Sequence, residues 1–245
     1  MRTGNPTLNK NSFNQFQDQS FSEVMTLDGT VNKTFLMLLI LIIPAFYTWN
    51  SVNSIIESGM VQIYMFGSLI AGLILALMTV FKKNWSPITA PLYAFAEGIF
   101  LGLISVFMEM VYPGIVFQAI ALTFGTLFLL LFLYKSRIIK ATENFKLGVV
   151  SATGAIALIY IASIVLSFFG INIPFIHESG LIGIGFSLFV VVIAALNLVL
   201  DFDFIENASG KAPKYMEWYG AFGLMVTLIW LYIEILRLLA KLRDR

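Results

Sequence analysis

The chain has 245 residues, 59% apolar and 12% charged, and its mean hydropathy of +0.88 excludes a soluble globular protein. With 15 basic and 14 acidic side chains the formal net charge is +1, which leaves no bulk field to attract nucleic acid, and that class of partner is set aside. No cysteine and a single histidine exclude disulfide frameworks, iron-sulfur clusters, thiol catalysis and Cys/His zinc sites.

Residues 1–30 are rich in Asn, Gln, Ser, Thr and Phe and hold no apolar run. They are expected to form a flexible polar tail, neither signal peptide nor span, ahead of a transmembrane domain over 31–245. Seven runs follow, each near the roughly 20 residues that a hydrocarbon core requires: Thr34 to Trp49, Met60 to Phe81, Leu92 to Val111, Ile115 to Tyr134, Leu147 to Phe169, Leu181 to Leu200 and Trp218 to Leu239. Lipid cannot hydrogen-bond the backbone, and these runs do not alternate every second residue, so they predict helices rather than barrel strands. The expected fold is an all-α seven-helix membrane bundle with the seventh helix central. Connections carry turn chemistry at Tyr112-Pro113-Gly114, Ser86-Pro87, Ala90-Pro91 and Gly170 to Gly180. Pro44, inside the first span, removes the hydrogen bond to the Ile40 carbonyl and predicts a bend.

Lys and Arg divide sharply. The tail up to Lys33 has three, the loop 82–91 two, 135–146 four and 201–217 two, while the loops after the first, third and fifth spans have none. The positive-inside rule therefore predicts a cytoplasmic N-terminus, with the 135–146 loop inside and the loop holding His177 outside. Seven crossings send the C-terminus outside, yet Arg237, Lys241, Arg243 and Arg245 make that end basic. Sequence leaves its side open.

Within the spans only Glu97, Glu109, Glu234 and Arg237 are ionisable, with Asp201 and Asp203 just past the sixth. A charge at mid-depth costs at least about 2.5–3.5 kcal/mol on insertion scales, so each is a functional candidate. In the third span Ala94, Gly98, Gly102, Ser105 and Glu109 form one mostly small stripe, which predicts close approach by another helix. Glu97 borders that stripe and is expected to face the bundle interior near the seventh helix. Asn197 and Asp201 are one turn apart and make a polar face where the sixth apolar run ends. In the seventh span Gly220, Gly223, Thr227, Trp230, Glu234, Arg237 and Lys241 share a face, small early and ionisable later. Plainer roles stand beside these: Glu109 and Asp203 as solvated headgroup-level residues, Glu234 with Arg237 as a packing ion pair, His177 as a solvated loop residue.

The motifs of intramembrane aspartyl, serine and metalloproteases are missing, and the seventh span has no lysine at mid-depth for a retinal Schiff base. No enzyme activity and no cofactor are expected. Two carboxyl groups on facing helices cannot both ionise cheaply in a low-dielectric site, so they share a proton or hold a cation between them. Oxygen ligands of this kind suit Ca²⁺.

Five stretches then carry a resemblance: Leu196-Asn-Leu-Val-Leu-Asp-Phe-Asp-Phe-Ile-Glu206, Ala212-Pro-Lys-Tyr-Met-Glu-Trp-Tyr-Gly220, Val226-Thr-Leu-Ile-Trp-Leu-Tyr-Ile-Glu-Ile-Leu-Arg237, Tyr93-Ala-Phe-Ala-Glu-Gly-Ile-Phe-Leu-Gly102 and Met25-Thr-Leu-Asp-Gly-Thr-Val-Asn-Lys-Thr34. In this order, over almost the whole chain, they resemble the bacterial branch of the Bax inhibitor-1-like family. The resemblance implies a last helix surrounded by six others, a place in the bacterial inner membrane, and a pH-sensitive Ca²⁺ leak gated by a proton-sensing carboxylate pair. That pair carries onto Asp201 and Glu234. Here glutamate replaces aspartate, and Arg237 stands one turn away where better-known members have a neutral residue; no family role carries onto Glu97.

The expected site is accordingly Asp201 and Glu234, with Glu97 as a third oxygen ligand and Arg237, Asp203 and Asn197 as gating or pairing residues. Partners are the lipid bilayer, Ca²⁺ and protons. A non-conducting regulator or chaperone that binds other membrane proteins is the alternative.

Overall fold

The computed structural model describes residues 23–170 and 178–244; His177 and most of the predicted tail lie outside the described residues. The long elements are all helices: α1 (Leu27–Asn50), α2 (Val61–Phe81), α3 (Ser86–Val111), α4 (Ile115–Lys135), α5 (Glu143–Phe168), α6 (Leu181–Ala208) and α7 (Met216–Arg243), with short turns of helix at Val52–Glu57 and Lys83–Trp85. Each of the seven is long and apolar enough to cross a membrane. In a solvent without hydrogen-bonding groups only such self-satisfied backbones are stable.

Helix boundaries follow capping chemistry more than hydropathy. α1 starts at Leu27, ahead of the apolar run at Thr34, because Thr26 Oγ1 accepts from Gly29 N at 3.0 Å, a cap worth about 1 kcal/mol. Thr142 caps α5 in the same way, accepting from Phe145 N at 3.3 Å. Gly114, between α3 and α4, takes φ +82°, a conformation that costs glycine nothing.

Two connections read from the sequence prove helical. Pro87 occupies the first turn of α3 and Pro91 lies inside that helix, since a first-turn N–H has no intrahelical acceptor to lose and Pro91 gives up only the bond to the Pro87 carbonyl. α6 runs past Leu200 to Ala208, so Asp201 and Asp203 stand within a helix rather than beyond its end.

By contact density the chain forms two compact units, one of α1–α3 with residues 205–226, the other of α4, α5, α6 through Phe204, and α7 from Thr227. In the first unit the small stripe of α3 meets α1. A Cβ at Gly98 would strike the Leu41 carbonyl oxygen and the Pro44 ring, and one at Gly102 the Thr48 hydroxyl and the Ala45 backbone, so both glycines are required by close approach. α2 runs antiparallel to α3, with Thr79 Oγ1 donating to Thr89 Oγ1 at 2.7 Å. The first turns of α7 lie parallel to α3: Ser86 Oγ donates to the Tyr215 carbonyl at 3.0 Å, and seven residues on Tyr93 meets Phe222 edge-on at 5.0 Å.

In the second unit α5 and α6 are antiparallel. Lys146 pairs with Asp203, Thr153 with Asn197, Ile156 packs with Val190 and Ile193, and Tyr160 meets Phe186, in steady register. Burial separates the helices: 56% of the most apolar stretch of α7 is buried, 50% of α6 and 44% of α3, against 28% or less for the other four. Phe46, Phe66, Phe117, Phe128 and Phe168 are exposed, the outward apolar face that a bilayer covers.

Candidate functional site

Glu234 is one of two carboxyl groups buried inside the second unit, the other being Asp201. It lies on α7 in an otherwise apolar turn, and its side chain is 2% exposed. The Tyr160 hydroxyl, from α5, donates to Glu234 Oε1 at 2.9 Å. Arg237, one turn further along α7, donates through one nitrogen to both carboxylate oxygens at 3.1 and 3.2 Å and to the Tyr160 oxygen at 2.8 Å. The guanidinium also stands over the Tyr160 ring, 5.2 Å from its centroid. Three groups from two helices thus satisfy one another, and the sequence question of which partner Glu234 takes is answered by Arg237.

Asp201 occupies a different level. The apolar layer of Ile156, Val190 and Ile193 has Tyr160 and Trp230 packed against it. Glu234 is four residues beyond Trp230 towards the Tyr160 side. Asp201, fully buried, is eight residues beyond Ile193 in the opposite direction, about 12 Å of helix rise. With the roughly 6 Å from Trp230 to Glu234, the two carboxyl groups are separated by about 18 Å along the helices. A direct proton-sharing pair between them does not form in this geometry, because α6 enters the unit antiparallel to α5 and carries Asp201 towards the Thr153 end. Asn197, one turn from Asp201, donates through Nδ2 to Thr153 Oγ1 and to the Ile193 carbonyl, both at 2.8 Å.

Beyond these levels both ends of the unit are tied by charge. At one end Lys146 Nζ, almost fully buried, meets Asp203 Oδ2 at 2.7 Å; Asp203 is thereby an ion-pair partner of α5 rather than a solvated helix end. At the other end Lys241 Nζ donates to the Gly183 carbonyl at 3.1 Å and to Ser187 Oγ at 2.8 Å, so the last helix keeps its basic turn against the start of α6. Arg243 reaches Gln118 Oε1 at 3.2 Å, and Ser179 reaches Asp244 at 3.2 Å. The C-terminus therefore shares an end of the unit with the start of α4 and the loop before α6, as a complete seventh crossing requires.

Glu97 belongs to the first unit. Its carboxyl group fills the space beside Gly72 of α2, where a Cβ would come within 2.7 Å of Oε1, and Tyr93, one turn earlier, is its hydrogen-bond partner. Tyr93 in turn packs on Phe222 of α7. Glycine at position 72 is what admits a carboxyl between two apolar helices. Near the end of the same unit Glu217 is buried: its Oε1 accepts from Thr26 N at 3.0 Å and Thr26 Oγ1 at 2.8 Å, and Oε2 meets Lys33 Nζ at 2.8 Å. Met25 N donates to the Ala212 carbonyl at 2.7 Å, and Gly210 N to the Met25 carbonyl at 2.8 Å. Outside the membrane-spanning helices the exposed Lys214 pairs with Glu23 at 2.7 Å; that hydrogen bond holds its ammonium above the usual lysine pKa.

Tyr160, Thr153, Lys146, Lys241 and the Glu217–Lys33 pair were not singled out as site residues from the sequence. A weak signal exists for two of them: Thr153 and Tyr160 are seven apart and share a face of an otherwise apolar helix. Among the described residues no three Asp, Glu or His side chains gather into a group able to hold a metal ion, so Asp201, Glu234 and Glu97 do not form a common oxygen cage.

A search of curated proteins and one of solved structures found no match to the chain. A family model described as Bax inhibitor 1 like matches residues 5–244. Together with seven membrane-length apolar helices, this makes the chain a multi-pass integral membrane protein of the Bax inhibitor 1 like family.

Proposed function

We propose that the protein is a pH-sensitive cation leak that carries Ca²⁺ across the bacterial inner membrane, that its N-terminus is cytoplasmic and its last helix central, and that it is not an enzyme. The observation that carries this reading is Glu234, a carboxylate buried within an apolar helix and held by a guanidinium and a phenol. Such a group costs several kcal/mol against an apolar residue, which favours a functional use for its charge. The charge on Glu234 is what binds Arg237, and without that charge the pair has no ionic tie. The guanidinium, 39% exposed, is then free to leave, and the α5–α7 contact through Tyr160 loosens. Asp201, Asn197, Thr153, Tyr160 and Ser187 supply oxygen atoms along α5 and α6, ligands of the type Ca²⁺ prefers. The uneven distribution of Lys and Arg supports the orientation.

The test is Ca²⁺ flux into proteoliposomes between about pH 5 and 9, a range that brackets buried carboxyl groups, for the parent, Glu234→Gln and Asp201→Asn. Glu234→Gln mimics the protonated acid, so its flux should stay near the level the parent reaches at the acid end and respond little to pH. Asp201→Asn should lower flux and keep the pH response. A parent silent at every pH removes the leak reading. The complete pairing of Glu234 with Arg237 and Tyr160 favours one rival, a non-conducting regulator that binds other membrane proteins and whose charges serve packing; the silent parent is the result that reading expects.

A further inference from the structure

We infer that the buried layer of Ile156, Val190 and Ile193 is the closure of the conduction path, an apolar gate between two groups of polar side chains on α5, α6 and α7. The inference rests on the leak reading above and names where that leak is shut. On one side of the layer stand Thr153, Asn197 and Asp201; on the other stand Tyr160, Glu234 and Arg237. From Thr153 to Tyr160 is seven residues of α5, about 10 Å. Between those levels Val190 is fully buried, Ile156 is 2% exposed and Ile193 8%, and Phe186 and Trp230 pack around them. A constriction of this length and character excludes water, and an ion that must shed its hydration finds no oxygen there to replace it.

A second feature points to the same place. Asn197 Oδ1 is buried and accepts no hydrogen bond from the described residues. A buried acceptor left without a donor is costly, and this one lies one turn from Ile193. It is an oxygen placed to receive a cation or its water on reaching the layer. Its neighbours Thr153 and Asp201 add two more oxygen-bearing groups at the mouth.

Val190→Ser puts a hydroxyl at the centre of the layer and removes both methyl groups. In proteoliposomes at about pH 7 it should raise Ca²⁺ flux roughly tenfold or more, as wetting of an apolar constriction does. Val190→Thr, nearly unchanged in shape, should raise flux in the same direction by less and serves if the serine variant folds poorly. Leu158→Ser and Ile161→Ser, exposed positions on α5, should leave flux within about twofold, since they lie outside the constriction. If the parent conducts and folded Val190→Ser and Val190→Thr conduct no more than it does, the gate is refuted and the leak reading stands. A parent silent at about pH 7 beside a conducting Val190→Ser supports the gate as the point where the path is shut. Silence in the parent, Val190→Ser and Val190→Thr at every pH from about 5 to 9 overturns both the gate and the leak.

Discussion

The Glu234–Arg237 pair makes a quantitative prediction, because its two halves differ in burial. Removing one partner of a fully buried ion pair costs about 3–5 kcal/mol, while an exposed pair contributes no more than about 1 kcal/mol. The Glu234 side chain is 2% exposed and that of Arg237 39%, so Arg237→Met falls between the limits. The Tyr160 hydroxyl still donates to Glu234 at 2.9 Å and keeps about 1 kcal/mol. The expected loss is therefore about 2–3 kcal/mol, and at roughly 2–4 °C per kcal/mol for a chain of this size the Tm in detergent should fall by about 5–10 °C. Glu234→Gln retains volume and the tyrosine bond and should cost about 1–2 kcal/mol. The double variant leaves no uncompensated charge, so it should lose no more than Arg237→Met alone, a coupling of about 1–2 kcal/mol. Losses that simply add would refute the pair as an energetic unit, and with it the idea that loss of the Glu234 charge frees Arg237.

Other consequences are open to simpler measurements. Gly102→Val should lower Tm by more than about 5 °C because its side chain meets the Ala45 backbone, which cannot step aside; Gly125→Ala, with open space around it, should be neutral or slightly stabilising. Cysteines introduced singly at Ser136, Ser179 and Asp244 should be labelled by a membrane-impermeant thiol reagent from one side for position 136 and from the other for 179 and 244, since Ser179 and Asp244 share an end of their unit. Glu217→Gln, with Lys33 left at its side, should speed hydrogen exchange at the amides of Met25 and Lys214, and a pattern unchanged at both would detach Glu217 from the tie between the start of α1 and the segment before α7.

The number of helices, their class and the need for close packing at Gly98 and Gly102 were legible because lipid imposes one rule on every residue of a span: apolar outside, small or satisfied inside. Helix ends were less legible. Asp201, Lys146 and Glu217 each look like loop charges by hydropathy, yet all three are buried in helices, since a helix continues wherever its backbone and its charges find partners. Partner choice was least legible. Helical spacing placed Glu234 and Arg237 on one face, but whether Glu234 takes Arg237 or Asp201 depends on where α5 brings Tyr160, a long-range fact that no periodicity contains.

That long-range fact also alters the kind of switch the membrane helices can form. Two carboxyl groups about 18 Å apart along their helices cannot share one proton, so Asp201 and Glu234 cannot act as a single sensor in this arrangement. Each is instead bound to its own side of the Ile156–Val190–Ile193 layer. Glu234, coupled to Arg237 across a turn of α7 and to α5 through Tyr160, is the group whose charge bears on helix contact. Asp201, with Asn197 and Thr153 beside it, is the group whose charge bears on a cation arriving at the layer. A division of this kind separates the two phenotypes: substitutions at Glu234 should change how flux depends on pH, whereas substitutions at Asp201 should change how much flows at every pH.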